Sequence, residues 1–374
     1  MPDVSVIIPC LNEEETIKEV VTQSKKACDE AGISHEVIVV NNDSKDRTAA
    51  EARKGGAKVV EEPRRGYGNA YKRGIKAARG RYLVMLDGDG TYDPAGIPHY
   101  HKYAEQGYEF VIGDRFVTKK ARKAMPWLHA HVGTPLLSRM ARRLYGSKVR
   151  DAHCGMRLIT KAAAERLKLT SQGMEFATEM VIKAAKAKLK TKQIGIPYHP
   201  RKGESKLNTW RDGWRHLRFM LLFSPTSVFF LPGTALSILG AFGLALFATG
   251  PVSIGGATMR THPMLVSSIL LITGTQLLMS GYFLRVLAVN HFGEHDRAIE
   301  RLQQSITLEK GIITGGLLLI TSLAIAGRHL AKWLSTGYGD LNIHASIIAI
   351  TTAIVGIQIV TNAFYYVSVQ AMTK

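Results

Sequence analysis

Cysteine is scarce in this chain: Cys10, Cys28 and Cys154 are the three found among 374 residues. An odd number at wide spacing makes neither a disulfide framework nor a zinc-ligand pattern, which fits a reducing compartment. Negative charge is also in short supply, with 30 acidic residues against 49 Lys and Arg and a formal net charge of +19. Charge of either sign nearly disappears after Thr226, where eight basic and five acidic residues remain. The preceding part holds the other 41 basic and 25 acidic residues, a net of +16. So basic a soluble part suits a nucleic acid, an anionic membrane face or a phosphorylated substrate. No secretory signal is legible. The apolar run at residues 4–8 is too short for a signal core, and Glu13, Glu14 and Glu15 follow it. The first part is therefore expected in the cytosol.

What the chain does have is Tyr82-Leu83-Val84-Met85-Leu86-Asp87-Gly88-Asp89-Gly90. A short apolar run bounded by glycines predicts a buried strand of a parallel sheet. Its two carboxylates emerge at the carboxyl end, where open α/β sheets bind ligands. With no Lys or Arg between them they repel each other, and a bound divalent cation would relieve that repulsion. Hard oxygen ligands suit Mg²⁺ or Mn²⁺, which keep positions open for water and substrate phosphates. Asp-Gly-Asp by itself reads more simply as a polar strand-to-loop turn, so its surroundings decide.

Around it, strand and helix patterns alternate. Strands are expected at residues 4–9, 35–40, 58–61 and 110–113, with helices between them. Asn12, three residues before Glu15, reads as the start of the first helix in capping-box fashion. The alternation predicts a parallel sheet covered on both faces. Glu13, Asp43 and the Asp87/Asp89 pair all fall at or just beyond strand carboxyl ends. After Arg115 a basic run, Lys119, Lys120, Arg122 and Lys123, meets Met125-Pro126-Trp127-Leu128. Arg139, Arg142 and Arg143 then lie on an expected amphipathic helix. Basic residues beside Trp, Leu and Met suit a membrane surface, with a solvated basic face next to a core helix as the alternative.

From residue 219 to 259 there is no charged residue, and residues 261–284 and 311–327 are likewise uncharged. A fourth such run covers 341–373. Four spans are expected, near 228–248, 263–284, 311–330 and 343–367, making residues 1–218 a cytosolic domain and 219–374 a membrane domain. Apart from His344 near one end, the spans hold nothing resembling an ion relay, so they read as an anchor.

Taken in order, six stretches carry a resemblance. They are Val6-Ile7-Ile8-Pro9-Cys10-Leu11-Asn12-Glu13, Val40-Asn41-Asn42-Asp43-Ser44, Asp87-Gly88-Asp89, Gly113-Asp114-Arg115-Phe116, Cys154-Gly155-Met156-Arg157 and Arg201-Lys202-Gly203-Glu204-Ser205-Lys206-Leu207. Over roughly the first 220 residues the chain resembles family 2 glycosyltransferases of the GT-A fold. Within them it is most similar to the dolichyl-phosphate mannosyltransferase and polyprenyl-phosphate glucosyltransferase group, some members of which carry four transmembrane helices.

The resemblance implies an α/β Rossmann-like domain that binds a nucleotide sugar, followed by an all-α domain of four membrane helices. It implies that Pro9, Leu11, Glu13 and Asp43 line the base and ribose pocket. Asp87 would contact the nucleotide or assist the metal, and Asp89 would hold the divalent cation. Arg115, Arg201, Ser205 and Lys206 would face the acceptor phosphate, with Asp89, Arg115, Arg201 and Lys206 central to catalysis. Asn41-Asn42-Asp43 departs from the usual successive carboxylates, which loosens the ribose assignment. Gly90-Thr91-Tyr92 departs after the acidic pair and leaves Tyr92 and Asp93 as candidate supporting metal ligands.

The implied reaction moves a hexose from a nucleotide sugar to a polyprenyl or dolichyl phosphate, inverting the anomeric centre. UDP-glucose is the favoured donor and GDP-mannose stands close behind. Membrane lipids are implied partners, nucleic acid is not, and a homo-oligomer stays open. A processive polysaccharide synthase of the same fold is an alternative. Its Gln-x-x-Arg-Trp signature has no match in Asn208-Thr209-Trp210-Arg211-Asp212. A catalytically dead membrane scaffold is the other.

Overall fold

The computed structural model describes the chain apart from residues 118–124, 126, 202–208, 223, 225, 249–251, 255–256, 260, 293–296, 337–341 and 374. It forms two compact units, Met1–Met220 and Leu221–Lys374.

The first unit is built on a seven-stranded sheet. Its strands are β1 (Val4–Cys10), β2 (His35–Asn41), β3 (Lys58–Glu61), β4 (Tyr82–Met85), β5 (Phe110–Asp114), β6 (Arg157–Thr160) and β7 (Thr191–Gly195). They lie in the order β3-β2-β1-β4-β6-β5-β7. Val6, Ile7 and Ile8 of β1 and Leu83 and Val84 of β4 are closed off from solvent. That burial is why these strands are continuous apolar runs and not alternating ones. Helices α1 (Ile17–Glu30), α2 (Thr48–Lys54), α3 (Tyr67–Ala77) and α4 (Ile97–Glu105) follow the strands in alternation.

Two expectations are corrected here. The sheet is mixed and not wholly parallel, because β6 runs antiparallel to both β4 and β5. Arg157, Leu158 and Ile159 are all buried, so a four-residue strand covered on both faces shows no period from which its presence or direction could be read. The consequence is functional. An antiparallel strand begins where its parallel neighbours end, so the segment entering β6 joins their carboxyl edge.

The second correction is the start of α1. Asn12 does not cap it; Thr16 is the residue before its first turn. The Asn12 side chain accepts from Lys45 N at 2.7 Å, and Asn12 N donates to Ser44 Oγ at 3.0 Å. Asn12 is tied to the loop after β2 instead of to its own helix.

Helices α5 (Thr134–Tyr145), α6 (Lys161–Leu167), α7 (Phe176–Lys186) and α8 (Thr209–Leu222) follow in chain order. Leu137 and Ala141 of α5, Ile182 of α7 and Met220 make a small second core. The basic run 119–123 lies outside the described residues, while Trp127 and Trp214 stand exposed.

The second unit contains α9 (Leu231–Phe247), α10 (Thr261–Phe292), α11 (Arg297–Ser305), α12 (Leu308–Thr336) and α13 (Ile343–Thr373). Among the described residues four segments are long and apolar enough to cross a membrane: Thr226–Phe247, Thr261–Leu287, Leu308–Ser335 and Ile343–Ser368. Phe242, Ile269, Leu323 and Ile350 face outward, which suits lipid as the surrounding solvent. Close crossings depend on small residues. A Cβ at Gly240 would lie 2.3 Å from Leu271 N, and one at Gly315 would lie 2.6 Å from Gly356 O.

Candidate functional site

Four adjacent parallel strands, β3, β2, β1 and β4, end at one edge, and the loops leaving them are tied together by hydrogen bonds. Glu13 N donates to Thr48 Oγ1 at 2.8 Å, and Arg47 N to Glu14 Oε2 at 3.0 Å. Asn42 is buried. It accepts from Gly66 N at 2.8 Å and donates to Glu62 O and Arg64 O at 2.8 and 2.9 Å. It thereby fastens the β3–α3 loop to the end of β2. Asp43 and Asn12 both adopt left-handed backbone, φ 62° and 53°, a conformation that short polar side chains tolerate. Asp43 is held by Lys45 Nζ at 3.0 Å and Arg65 Nε at 2.8 Å. Bonds from these cations, Lys45 first, hold its carboxyl below the usual range. Pro9 lies in β1 and Leu11 just beyond it, both half-buried.

The chain leaving β4 delivers the acidic pair. Asp87 Oδ1 accepts from the Tyr67 hydroxyl at 3.0 Å. Its Oδ2 faces Gly155, where an added Cβ would lie only 2.6 Å away. Gly155 belongs to the segment entering β6, and its N–H donates to the Tyr92 hydroxyl at 2.6 Å. Burial, then the charge of Asp89, pushes the Asp87 carboxyl up to about 7, against the opposing pull of Tyr67, Arg115 and Arg201. Asp89 is buried, and its Oδ1 accepts from Thr91 N and Oγ1 at 3.1 and 2.7 Å. Arg201 bridges two of the expected site carboxylates, with Nη2 2.7 Å from Glu13 Oε1 and Nη1 3.3 Å from Asp89 Oδ2. Residues 188 positions apart in sequence thus meet at one edge.

Arg115 is expected from the sequence to face phosphate. The structure places its guanidinium on Asp151, with Nε to Oδ2 at 2.7 Å and Nη2 to Oδ1 at 2.8 Å, both residues buried. Its charge is locally neutralised, and it stacks over the Tyr198 ring at 5.3 Å. Asp151 escaped sequence reasoning, although it is the sole acidic residue between Asp114 and Glu165. Tyr67 and Gly155 escaped as well; a tyrosine between two glycines reads only as a helix start. Arg157 is buried and donates to the carbonyls of Cys154, Ala177 and Ala152, which shapes the segment carrying Gly155. Glu175 accepts from Gly173 N and Glu179 from Thr170 and Ser171, so both hold backbone. Ser205 and Lys206 lie outside the described residues.

The acidic pair suits a divalent cation: two hard carboxylates crowd one edge, and burial together with that crowding holds one of them up to about 7. Tyr92 and Asp93 are each engaged with backbone, Asp93 Oδ1 accepting from Ala95 N at 2.9 Å. Among the described residues no group of three His, Cys, Asp or Glu side chains forms a metal site.

Comparison with known proteins agrees with this architecture. Residues 5–168 match the model for glycosyl transferase family 2, and residues 285–369 match that for the glycosyltransferase family 2 C-terminal transmembrane region. The low-salt glycan biosynthesis hexosyltransferase Agl6 of Haloferax volcanii is 37% identical over 365 residues, 97% of this chain and 88% of that protein. A dolichyl-phosphate hexose transferase of the same organism is 32% identical over 211 residues, 56% of this chain and 89% of that protein. Among solved structures, glucosyl-3-phosphoglycerate synthase of Mycobacterium tuberculosis with Mg²⁺ and UDP superposes with a TM-score of 0.48 at 21% identity, covering 59% of this chain and 78% of that one. With a GT-A domain ending in a carboxylate-lined edge and a second domain of four apolar helices, the chain belongs to glycosyltransferase family 2 and is a membrane glycosyltransferase.

Proposed function

We propose that this enzyme transfers a hexose from a nucleotide sugar to a polyprenyl or dolichyl phosphate, with inversion, from a cytosolic catalytic domain (residues 1–218) anchored by residues 219–374. The observation that carries the reading is the meeting of Glu13, Asp89 and Arg201 beside Asp87 at the sheet edge. The dolichyl-phosphate relative and the four apolar helices support the lipid acceptor. UDP-glucose is the favoured donor, followed by GDP-mannose.

In this reading the base and ribose lie against Pro9, Leu11, Glu13 and Asp43. Asp87 and Asp89 would hold a Mg²⁺ or Mn²⁺ ion, which would supply positive charge to neutralise the donor diphosphate as a leaving group. An acceptor phosphate oxygen attacks the anomeric carbon, the bond from that carbon to the diphosphate oxygen breaks, and a nucleoside diphosphate leaves. The acceptor phosphate, with a second pKa of about 6, is largely dianionic at neutral pH and needs no strong general base. The chain's task is charge control. Arg201, lodged between Glu13 and Asp89, turns to phosphate when anionic groups enter, and Ser205 and Lys206, a few positions on in the sequence, would add to it. Arg115, bound to Asp151, holds the neighbouring loop in place.

The test is transfer of labelled sugar into organic-extractable lipid. Purified protein in detergent receives polyprenyl phosphate, Mn²⁺ or Mg²⁺, and UDP-glucose or GDP-mannose in parallel. Label in the lipid from UDP-glucose is expected. Label from GDP-mannose instead would reassign the donor, and no label from any nucleotide sugar would overturn the reading.

A further inference from the structure

Glu179 is a fully buried carboxylate that the proposed reaction does not use. Its Oε1 accepts from Thr170 N and Oγ1 at 2.9 and 3.0 Å, its Oε2 accepts from Ser171 N at 2.8 Å, and Lys183 Nζ lies 2.8 Å from Oε1. So dense a set of bonds fixes the backbone at residues 170–171. That backbone is pressed on the start of α3. Asn69 N donates to Gln172 O at 3.1 Å. A Cβ at Gly66 would lie 2.3 Å from Gln172 O, and one at Gly68 2.3 Å from Ser171 O. Gly66 also has φ 142°, which a side chain would strain. Between these two glycines stands Tyr67. Its ring meets Tyr71 edge-on at 4.8 Å, and Tyr71 stacks on Phe176 at 5.5 Å. Backbone and ring are therefore both held, and the hydroxyl is delivered 3.0 Å from Asp87 Oδ1. On the opposite side Gly155 backbone closes on Oδ2. A carboxylate gripped at one oxygen and walled at the other has little freedom to rotate.

We propose that Tyr67 is a positioning residue for Asp87: its hydroxyl fixes the carboxylate in the orientation that couples a divalent cation to a nucleoside diphosphate. The proposal rests on the functional reading above, in which Asp87 and Asp89 serve that cation. Outer partners that orient a ligating carboxylate typically change metal affinity about 10-fold to 100-fold when removed. Tyr67→Phe keeps the ring and its stacking and removes only the hydroxyl.

The experiment measures UDP affinity of the full chain in detergent by calorimetry, with and without Mn²⁺, for the unaltered protein, Tyr67→Phe and Tyr71→Phe. Mn²⁺ is expected to tighten UDP binding in the unaltered protein. In Tyr67→Phe that gain should fall about 10-fold while metal-free UDP affinity stays the same. Tyr71→Phe, which removes a hydroxyl beside that of Tyr67 but leaves the one on Asp87 in place, should lower the gain less than Tyr67→Phe does. A merely structural Tyr67 would lower the melting temperature without changing the gain. An unchanged gain in a folded Tyr67→Phe overturns the proposal and leaves the functional reading standing. No gain from Mn²⁺ in the unaltered protein overturns both.

Discussion

Asp151 and Asp87 both lie where the sheet opens onto its loops, and their surroundings are opposite. Asp151 is fully buried and answered by a bidentate guanidinium, Arg115, with a third bond from Arg115 N at 3.2 Å. Asp87 receives one neutral hydroxyl and is buried beside a second carboxylate; burial first, then that charge, pushes its carboxyl up to about 7. A satisfied ion pair shapes a loop; two buried carboxylates crowded at one edge suit a cation. One edge thus holds a paired charge that fixes a loop and a crowded acidic pair that suits a cation. Arg201 stands between the two cases, paired with Glu13 and Asp89 but on a side chain that is still about a quarter exposed (24%).

The comparison can be broken from either side. The largest expected effect on stability is at the satisfied site. Asp151→Ala leaves Arg115 buried and unpaired, and should cost about 3–5 kcal/mol, read by chemical denaturation in detergent. A cost below about 1 kcal/mol would mean that the pair is solvated and that the contrast fails. Next is Gly155→Ala, which forces a methyl onto Asp87 Oδ2 and the Tyr92 hydroxyl. Sugar transfer should fall about 10²-fold from displacement of the carboxylate, with the fold kept as judged by circular dichroism. The smallest effect is at Glu179. Burial opposes its charge, but bonds from Lys183, Thr170 and Ser171 leave its carboxyl below the ordinary 4.5. A depressed folded pKa gives stability that is present above about 4.5 and lost as pH falls through the folded value. Glu179→Gln should therefore cost about 2 kcal/mol at pH 7 and progressively less in acid. A cost that does not shrink in acid would assign the effect to packing.

Some of this was legible in the residues and some was not, for physical reasons. The runs in β1 and β4 announce themselves because burial on both faces demands continuous apolar residues, and Asp87/Asp89 follow directly. The direction of β6 was hidden because two-sided burial erases the period that would reveal it. Asn12 misled because its side chain bonds as readily to a neighbouring loop as to its own helix. The partner of Arg115 was hidden because Asp151 lies 36 positions away, in a segment whose fold depends on β6. The four apolar helices were plain, since lipid imposes length and composition together.

The central claim is that the Asp87/Asp89 edge is a cation-dependent site for sugar transfer to a lipid phosphate. The most direct measurement compares the unaltered protein with Asp89→Asn, each with Mn²⁺ and with chelator, scoring labelled sugar in the organic phase. The account predicts label only for the unaltered protein with metal, with Asp89→Asn at least about 10³-fold slower yet folded. Undiminished transfer by Asp89→Asn, or by the unaltered protein in chelator, would contradict it.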